Sequence, residues 1–97
     1  MRHTNETLEQ IAAIRNERAR IVGGLRERGI EVFPSQANFV LFRVDEPGAV
    51  WDGLLTRDVL IRRYDDVLGL EGCLRVTAGL PEETDAFFTA LDEVLDG

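Results

Sequence analysis

The stretch that most limits what this chain can become is residues 38–43, NFVLFR. Successive side chains of a strand point to opposite faces, so Phe39 and Leu41 would share one face and Val40 and Phe42 the other. A strand apolar on both sides belongs in an interior, with something packed against each face. Two arrangements satisfy that demand: a strand sandwiched inside this domain, or a sheet with helices on one side and a partner surface on the other. Ninety-seven residues make one domain with one core, which leaves both open.

Apolar spacing lays out the rest. Leu8, Ile11, Ile14, Ile21 and Leu25, with Ala12 and Val22 beside them, recur mostly at three- and four-residue steps and predict an amphipathic helix over residues 4–28, stopped by Gly29. Such a helix would be roughly 37 Å long, about the diameter of a domain this size, so its first turns should reach past the core. No capping residue or lead-in loop precedes it, as expected of a helix that continues a longer one. Gly23 and Gly24 each cost about 1 kcal/mol relative to Ala in a helix interior, and ask for packing or a kink. IEVF at 30–33 reads as a short strand and PSQA at 34–37 as a turn. Asp45 is the expected cap of a second helix, with Pro47 in its first turn, a buried stripe of Val50, Trp51, Leu54 and Leu55, and an end near Thr56. VLIR at 59–62 and CLRVT at 73–77 read as two more strands. Gly79 and Pro81 lead into a last helix, where Glu82, Glu83 and Asp85 suit the positive end of the helix dipole. Phe87, Phe88, Leu91, Val94 and Leu95 form its expected apolar face. The order α-β-β-α-β-β-α describes an α+β fold: a small antiparallel or mixed sheet of three to four strands with helices packed on it.

Composition narrows the chemistry. No apolar run approaches the roughly 18 residues of a membrane span. The polar opening MRHTNETLEQ lacks an apolar signal core, so a cytoplasmic location is expected and a membrane partner is not. The single Cys73 cannot form an internal disulfide and is expected to be a small buried hydrophobe. His3 is the only other soft ligand, so no metal site is expected. Residues 1–29 carry six Arg against four Glu, whereas residues 30–97 carry five Arg against fourteen acids. An acidic body of that kind is a poor nucleic-acid binder. All eleven basic residues are Arg. Without lysine no side chain can form a Schiff base, which removes pyridoxal-phosphate catalysis from the isolated polypeptide. One terminal His assembles no Ser-His-Asp or Cys-His group, and Gly23-Gly24 lacks the preceding strand of a phosphate loop.

Four of the five arginines after residue 30 fall between Arg57 and Arg75. Arg62 and Arg75 lie thirteen positions apart on either side of a loop, so a hairpin would set them directly opposite, or one pair removed, on one face. Two guanidinium groups side by side repel. Unless neutralised they ask for an anion, and arginine's planar fork suits carboxylate or phosphate. Two readings stand. Asp65, Asp66 and Glu71 in the intervening loop offer ordinary ion pairs, which are common and weak at surfaces. Against this, Arg75 sits between Leu74 and Val76 in a run that reads as interior, where a charge is costly without a purpose. Tyr64 shares the Arg62 face, either lining a ligand pocket or packing the hairpin. Arg63 is expected on the opposite face, solvated; Asn38 is expected to tie down the PSQA turn, and His3 to sit at a frayed end.

Taken in order, RHTNETLEQIAAI, PSQANFVLFR, VLIRRY and LEGCLRVTAGLPEETDAFFTAL resemble the C-terminal small domain of the histidinol-phosphate aminotransferase family, fold-type I pyridoxal-phosphate enzymes, over nearly the whole chain. The resemblance implies that residues 1–29 are an interdomain helix and residues 30–97 the small domain. It implies a large domain of the same protein that supplies the cofactor's lysine, a homodimeric parent, and amino transfer between glutamate and imidazole-acetol phosphate in histidine biosynthesis. Arg62 and Arg75 would hold the small substrate's anionic end, a phosphate or carboxylate. The chain itself would contain no catalytic or cofactor-binding residue and be inactive alone. An aromatic transaminase or a threonine-phosphate decarboxylase uses similar arginines, and a stand-alone module for a small anion or a partner's acidic segment is the reading from another class. Two positions depart from the family pattern. Asp58 stands where Gly is usual, and is among the residues least penalised in a left-handed turn. Leu80 stands where a Thr-like cap is common, a loss of about 1 kcal/mol.

Overall fold

The computed structural model describes residues 2–33 and 38–96, with side chains from residue 8 onward. The first helix, α1 (Arg2–Glu27), buries Ile21 and Leu25 and half-buries Ile14 and Val22. Leu8 is 61% exposed and Ile11 is exposed as well, so the first turns do outrun the core, in a molecule measuring 46 × 28 × 22 Å. The helix runs uninterrupted through Gly23 and Gly24. Packing rather than a kink sustains it there, because a Cβ on Gly24 would overlap the ring of Phe88. Gly29, at φ +74°, ends the helix, and the Ile30 amide turns back to the Leu25 carbonyl at 3.0 Å.

Four strands follow the expected order among two further helices: β1 (Glu31–Phe33), β2 (Phe39–Arg43), α2 (Pro47–Leu55), β3 (Arg62–Arg63), β4 (Cys73–Thr77) and α3 (Pro81–Asp96). The sheet order is β1-β2-β4-β3 and every neighbouring pair is antiparallel, so the fold is α+β with an antiparallel rather than a mixed sheet. All three helices lie on one face. There Val40 and Phe42 of β2 and Leu74 and Val76 of β4 meet Ile21, Leu25, Leu54, Phe87 and Leu91 in a single core. Phe42 and Phe87 touch edge to face, with centroids 6.1 Å apart. No described helix is long and apolar enough to cross a membrane.

Several expectations are corrected. The cap of α2 is Glu46, not Asp45, and it makes no side-chain capping bond; Pro47 opens the first turn and has no N–H to be capped. In that helix Val50 and Leu54 are buried, but Leu55 is exposed. The strand expected at 59–62 shrinks to Arg62–Arg63, because residues 59–61 bond to α2 instead of β4. The Val59 amide donates to the Leu54 carbonyl at 2.9 Å, and the Trp51 indole donates to the Ile61 carbonyl at 2.8 Å. Asp58 enters this segment at φ +63°, the left-handed conformation anticipated for it. On α3, Thr84 and Ala90 join the buried stripe, whereas Leu95 is exposed where the packed layer ends at Val94. Leu80 caps α3 without a hydroxyl; Glu83 reaches back instead and accepts the Leu80 amide at 2.9 Å, half of a capping box. The turn expected at 34–37 and the side chain of His3 lie outside the described residues.

The doubly apolar strand is covered on one face only. Phe39 and Leu41 are half-exposed, with no second layer over them among the described residues, so the sandwiched-strand arrangement does not hold.

Candidate functional site

The uncovered face carries the arginines. Arg62 pairs directly with Arg75 across β3 and β4, Arg75 pairs with Leu41 across β4 and β2, and Leu41 pairs with Phe33 across β2 and β1. One row of side chains thus runs Arg62, Arg75, Leu41, Phe33. Of the two registers the spacing allowed, the direct one is found.

A chain of tight turns sets that register. Beyond the last ladder pair the Tyr64 amide donates to the Cys73 carbonyl at 3.0 Å, Val67 to Tyr64 at 3.0 Å, Leu70 to Val67 at 2.9 Å, and Cys73 to Leu70 at 3.0 Å. Gly72 completes the loop at φ +82°, and a Cβ there would stand 2.9 Å from the Val44 carbonyl oxygen. Only glycine fits that approach without shifting backbone. Cys73 is fully buried, as expected.

Arg75 is held by aromatic rings. Its guanidinium carbon lies 4.9 Å from the centroid of Phe39 and 5.4 Å from that of Tyr64, distances at which a cation is attracted to a ring. Its Nη1 donates to the Tyr64 hydroxyl at 2.9 Å. Its Nε is buried and has no hydrogen-bond partner. Arg62 beside it is exposed.

The loop carboxylates do not neutralise this pair. Asp65 takes both its bonds from Arg63, at 3.0 and 2.8 Å, and that hydrogen-bonded guanidinium holds the Asp65 carboxyl below its ordinary range. Glu71 accepts the Gly69 amide at 3.1 Å, and backbone hydrogen bonds hold its carboxyl low as well. Among the described residues no carboxylate forms an ion pair with Arg62 or Arg75. Arg63 points to the helix-bearing face, as expected, but it is ion-paired there and its guanidinium lies 5.7 Å from the Trp51 ring. Asn38 contributes its carbonyl, which accepts the Ala78 amide at 2.7 Å.

Sequence reasoning brought together Arg62, Arg75 and Tyr64 but missed Phe39. Finding it required knowing that β2 lies beside β4 in a register that places Phe39 opposite Thr77, and hairpin spacing carries no information about that non-local pairing. Chemically, the row presents two positive charges, a phenol and an apolar border. It fits an oxyanion. It offers no amine, thiol or imidazole, and among the described residues no group of three metal-ligating side chains gathers.

Comparison with known proteins decides the lineage: residues 2–91 match the model of the aminotransferase class I and II family. The chain belongs to that family. It is 46% identical over 95 residues to the histidinol-phosphate aminotransferase of Corynebacterium diphtheriae, a match that takes in 97% of this chain and 25% of the relative. It is 49% identical over 96 residues to that of Frankia casuarinae, covering 98% of this chain and 23% of the relative. The chain therefore spans about a quarter of the length of the curated relatives it matches. Among solved structures it superposes on the histidinol-phosphate aminotransferase of Clostridium acetobutylicum with a TM-score of 0.85 and 33% identity, over 96% of this chain and 29% of that one. The Sinorhizobium meliloti enzyme in complex with pyridoxal-5'-phosphate gives a TM-score of 0.84 at 28% identity, over 95% and 26%. L-threonine-O-3-phosphate decarboxylase of Porphyromonas gingivalis gives 0.73 at 27% identity, over 86% and 27%.

Proposed function

We propose that these residues form the C-terminal small domain of a pyridoxal-phosphate-dependent histidinol-phosphate transaminase of cytoplasmic histidine biosynthesis, and that Arg62 and Arg75 bind the anionic end of its substrate. Residues 1–29 are the helix leading into the domain and residues 30–97 the domain proper. The observation that carries this reading is the arginine pair that, among the described residues, has no carboxylate partner and lies on the sheet face away from the helices. The similarity to histidinol-phosphate aminotransferases supports it.

Pyridoxal phosphate supplies the electron sink that amino transfer requires. With no lysine in the chain, its residues do not fit the cofactor's aldehyde, and the cofactor belongs to the large domain of the same protein. What these residues do is hold and orient. An oxyanion at the row replaces the repulsion of two guanidinium groups with charge-assisted hydrogen bonds, each worth about 1.5–3 kcal/mol. Binding energy at a substrate's remote end fixes the position of its reacting end. Phe33, Phe39 and Leu41 around the arginines are the border the large domain would cover, excluding water from the site. The parent is a homodimer in this reading, and the 97 residues alone do not transaminate.

Titration of inorganic phosphate against the wild-type chain and an Arg75→Ala variant, followed by NMR, tests the reading. Saturable shifts around Tyr64 and Arg75 in the wild type, lost in the variant, are expected. Equal responses would leave no anion site to defend. The decarboxylase likeness favours a second reading, a phosphate-bearing amino-acid substrate of another kind. Turnover of histidinol phosphate against threonine phosphate by the complete protein separates the two.

A further inference from the structure

We propose that the Tyr64 hydroxyl is a third donor of the anion site: it accepts a hydrogen bond from Arg75 and gives its own proton to the bound oxyanion. This rests on the anion-holding reading of Arg62 and Arg75 and adds to it a neutral, directional contact. A phenol oxygen carries one proton and two lone pairs. Arg75 Nη1, at 2.9 Å, fills a lone pair and leaves the proton to be placed. Among the described residues nothing receives it. Of the three loop carboxylates, Asp65 is turned to Arg63 and Glu71 to the Gly69 amide, and Asp66 makes no hydrogen bond to the hydroxyl among the described residues.

The hydroxyl is also well anchored. The Tyr64 amide is bonded to Cys73, its carbonyl accepts the Val67 amide, and its ring lies along the Arg75 guanidinium. It therefore follows the sheet rather than the outer loop, where Leu68 is 94% exposed. An oxyanion that reaches the Arg75 guanidinium comes within reach of the hydroxyl bonded to it. Donation from Arg75 polarises the O–H and strengthens it as a donor. The ligand class follows from the donor set: an oxyanion with at least two oxygens free, one for the guanidinium and one for the phenol, as a phosphate monoester or carboxylate has.

The test uses inorganic phosphate and three forms of the chain: wild type, Tyr64→Phe and Arg75→Ala. Tyr64→Phe keeps the ring and both backbone bonds and removes only the oxygen. Its melting temperature should match the wild type while its phosphate affinity falls about tenfold or more, the loss expected for a hydrogen bond to a charged group. Tyr64 is the only tyrosine, so the difference between the near-ultraviolet spectra of wild type and Tyr64→Phe separates its band from that of Trp51, and phosphate should change that band with the same midpoint as binding. Unchanged affinity in Tyr64→Phe, a melting temperature that falls along with affinity, or a silent tyrosine band would overturn the hydroxyl's role. If Arg75→Ala binds phosphate as well as the wild type, or the wild type binds none, the anion site itself fails. The two failures are thus distinguishable.

Discussion

Two adjacent rows of the same sheet meet opposite fates. One runs Arg63, Leu74, Phe42, Val32 and the next, a single residue along each strand, runs Arg62, Arg75, Leu41, Phe33. In the first, Leu74 and Phe42 are fully buried beneath the helices, and Arg63 is paired with Asp65. In the second, Leu41 and Arg75 are half-exposed and, among the described residues, neither arginine forms an ion pair with a carboxylate. The helix layer shows the same thrift with charge: Arg20 pairs with Asp85 and Glu17, Arg28 with Asp92, and Arg57 with Glu93. Strand composition does not separate the rows, since β2 is as apolar on one side as on the other. What differs is whether the chain itself supplies a cover. The first row combines apolar packing with neutralised charge; the second, among the described residues, is left half-exposed and cationic.

Truncations across the two rows test this contrast most strongly. Phe42→Ala should cost about 3–5 kcal/mol in urea denaturation, the range for emptying a packed aromatic site. Leu41→Ala, its neighbour on the open face, should cost under about 1 kcal/mol. Comparable losses would mean the faces are not different. The helix cover can be probed through its glycines. A Cβ at Gly24 meets the Phe88 ring, whereas nothing stands within 4 Å of one at Gly23. Gly24→Ala should therefore destabilise by about 1–3 kcal/mol, and Gly23→Ala should stabilise by about 0.5–1 kcal/mol. On the open face a gain is expected where function is lost. Arg75→Met removes a buried, unpartnered Nε and a like-charge neighbour, and should raise stability by up to about 1 kcal/mol while abolishing phosphate binding. A clear loss of stability would show that Arg75 serves the fold.

Periodicity made much of this legible. Element order, the α+β class, the helix face of α3 and the overreach of α1 all follow from local spacing, as does the placing of Arg62 beside Arg75. Errors arose where a local rule lost to a tertiary bond. Val59 to Ile61 have strand composition, yet Leu54 and Trp51 claim their backbone groups. Asp45 is a good cap by type, but Pro47 moves the helix start one residue past it. The site was half legible for a related reason: Tyr64 and the arginines belong to one hairpin, whereas Phe39 arrives from β2, through a pairing across more than thirty residues that no local pattern encodes.

The smallest expected effect concerns how the finished side holds its charge. Arg28 joins α1 to α3 through Asp92, at 2.6 and 2.8 Å, while lying 4.4 Å over the Phe88 ring. The hydrogen-bonded Arg28 guanidinium holds the Asp92 carboxyl below its ordinary range. A group whose folded value is depressed adds stability that is fully present above its unfolded value, about 4 for Asp, and is lost as pH falls through the folded one. Asp92→Asn should thus melt below the wild type at neutral pH. The gap should narrow as pH drops below about 4 and close once the wild-type carboxyl is protonated. Among the described residues Arg75 has no carboxylate partner to titrate, so the effect of Arg75→Met should keep its sign across the same window. A gap for Asp92→Asn that ignored pH would remove the ion pair from the account of how the helix layer is held. An Arg75→Met effect that reversed on acidification would reveal a carboxylate partner of Arg75 after all, and erase the contrast between the rows.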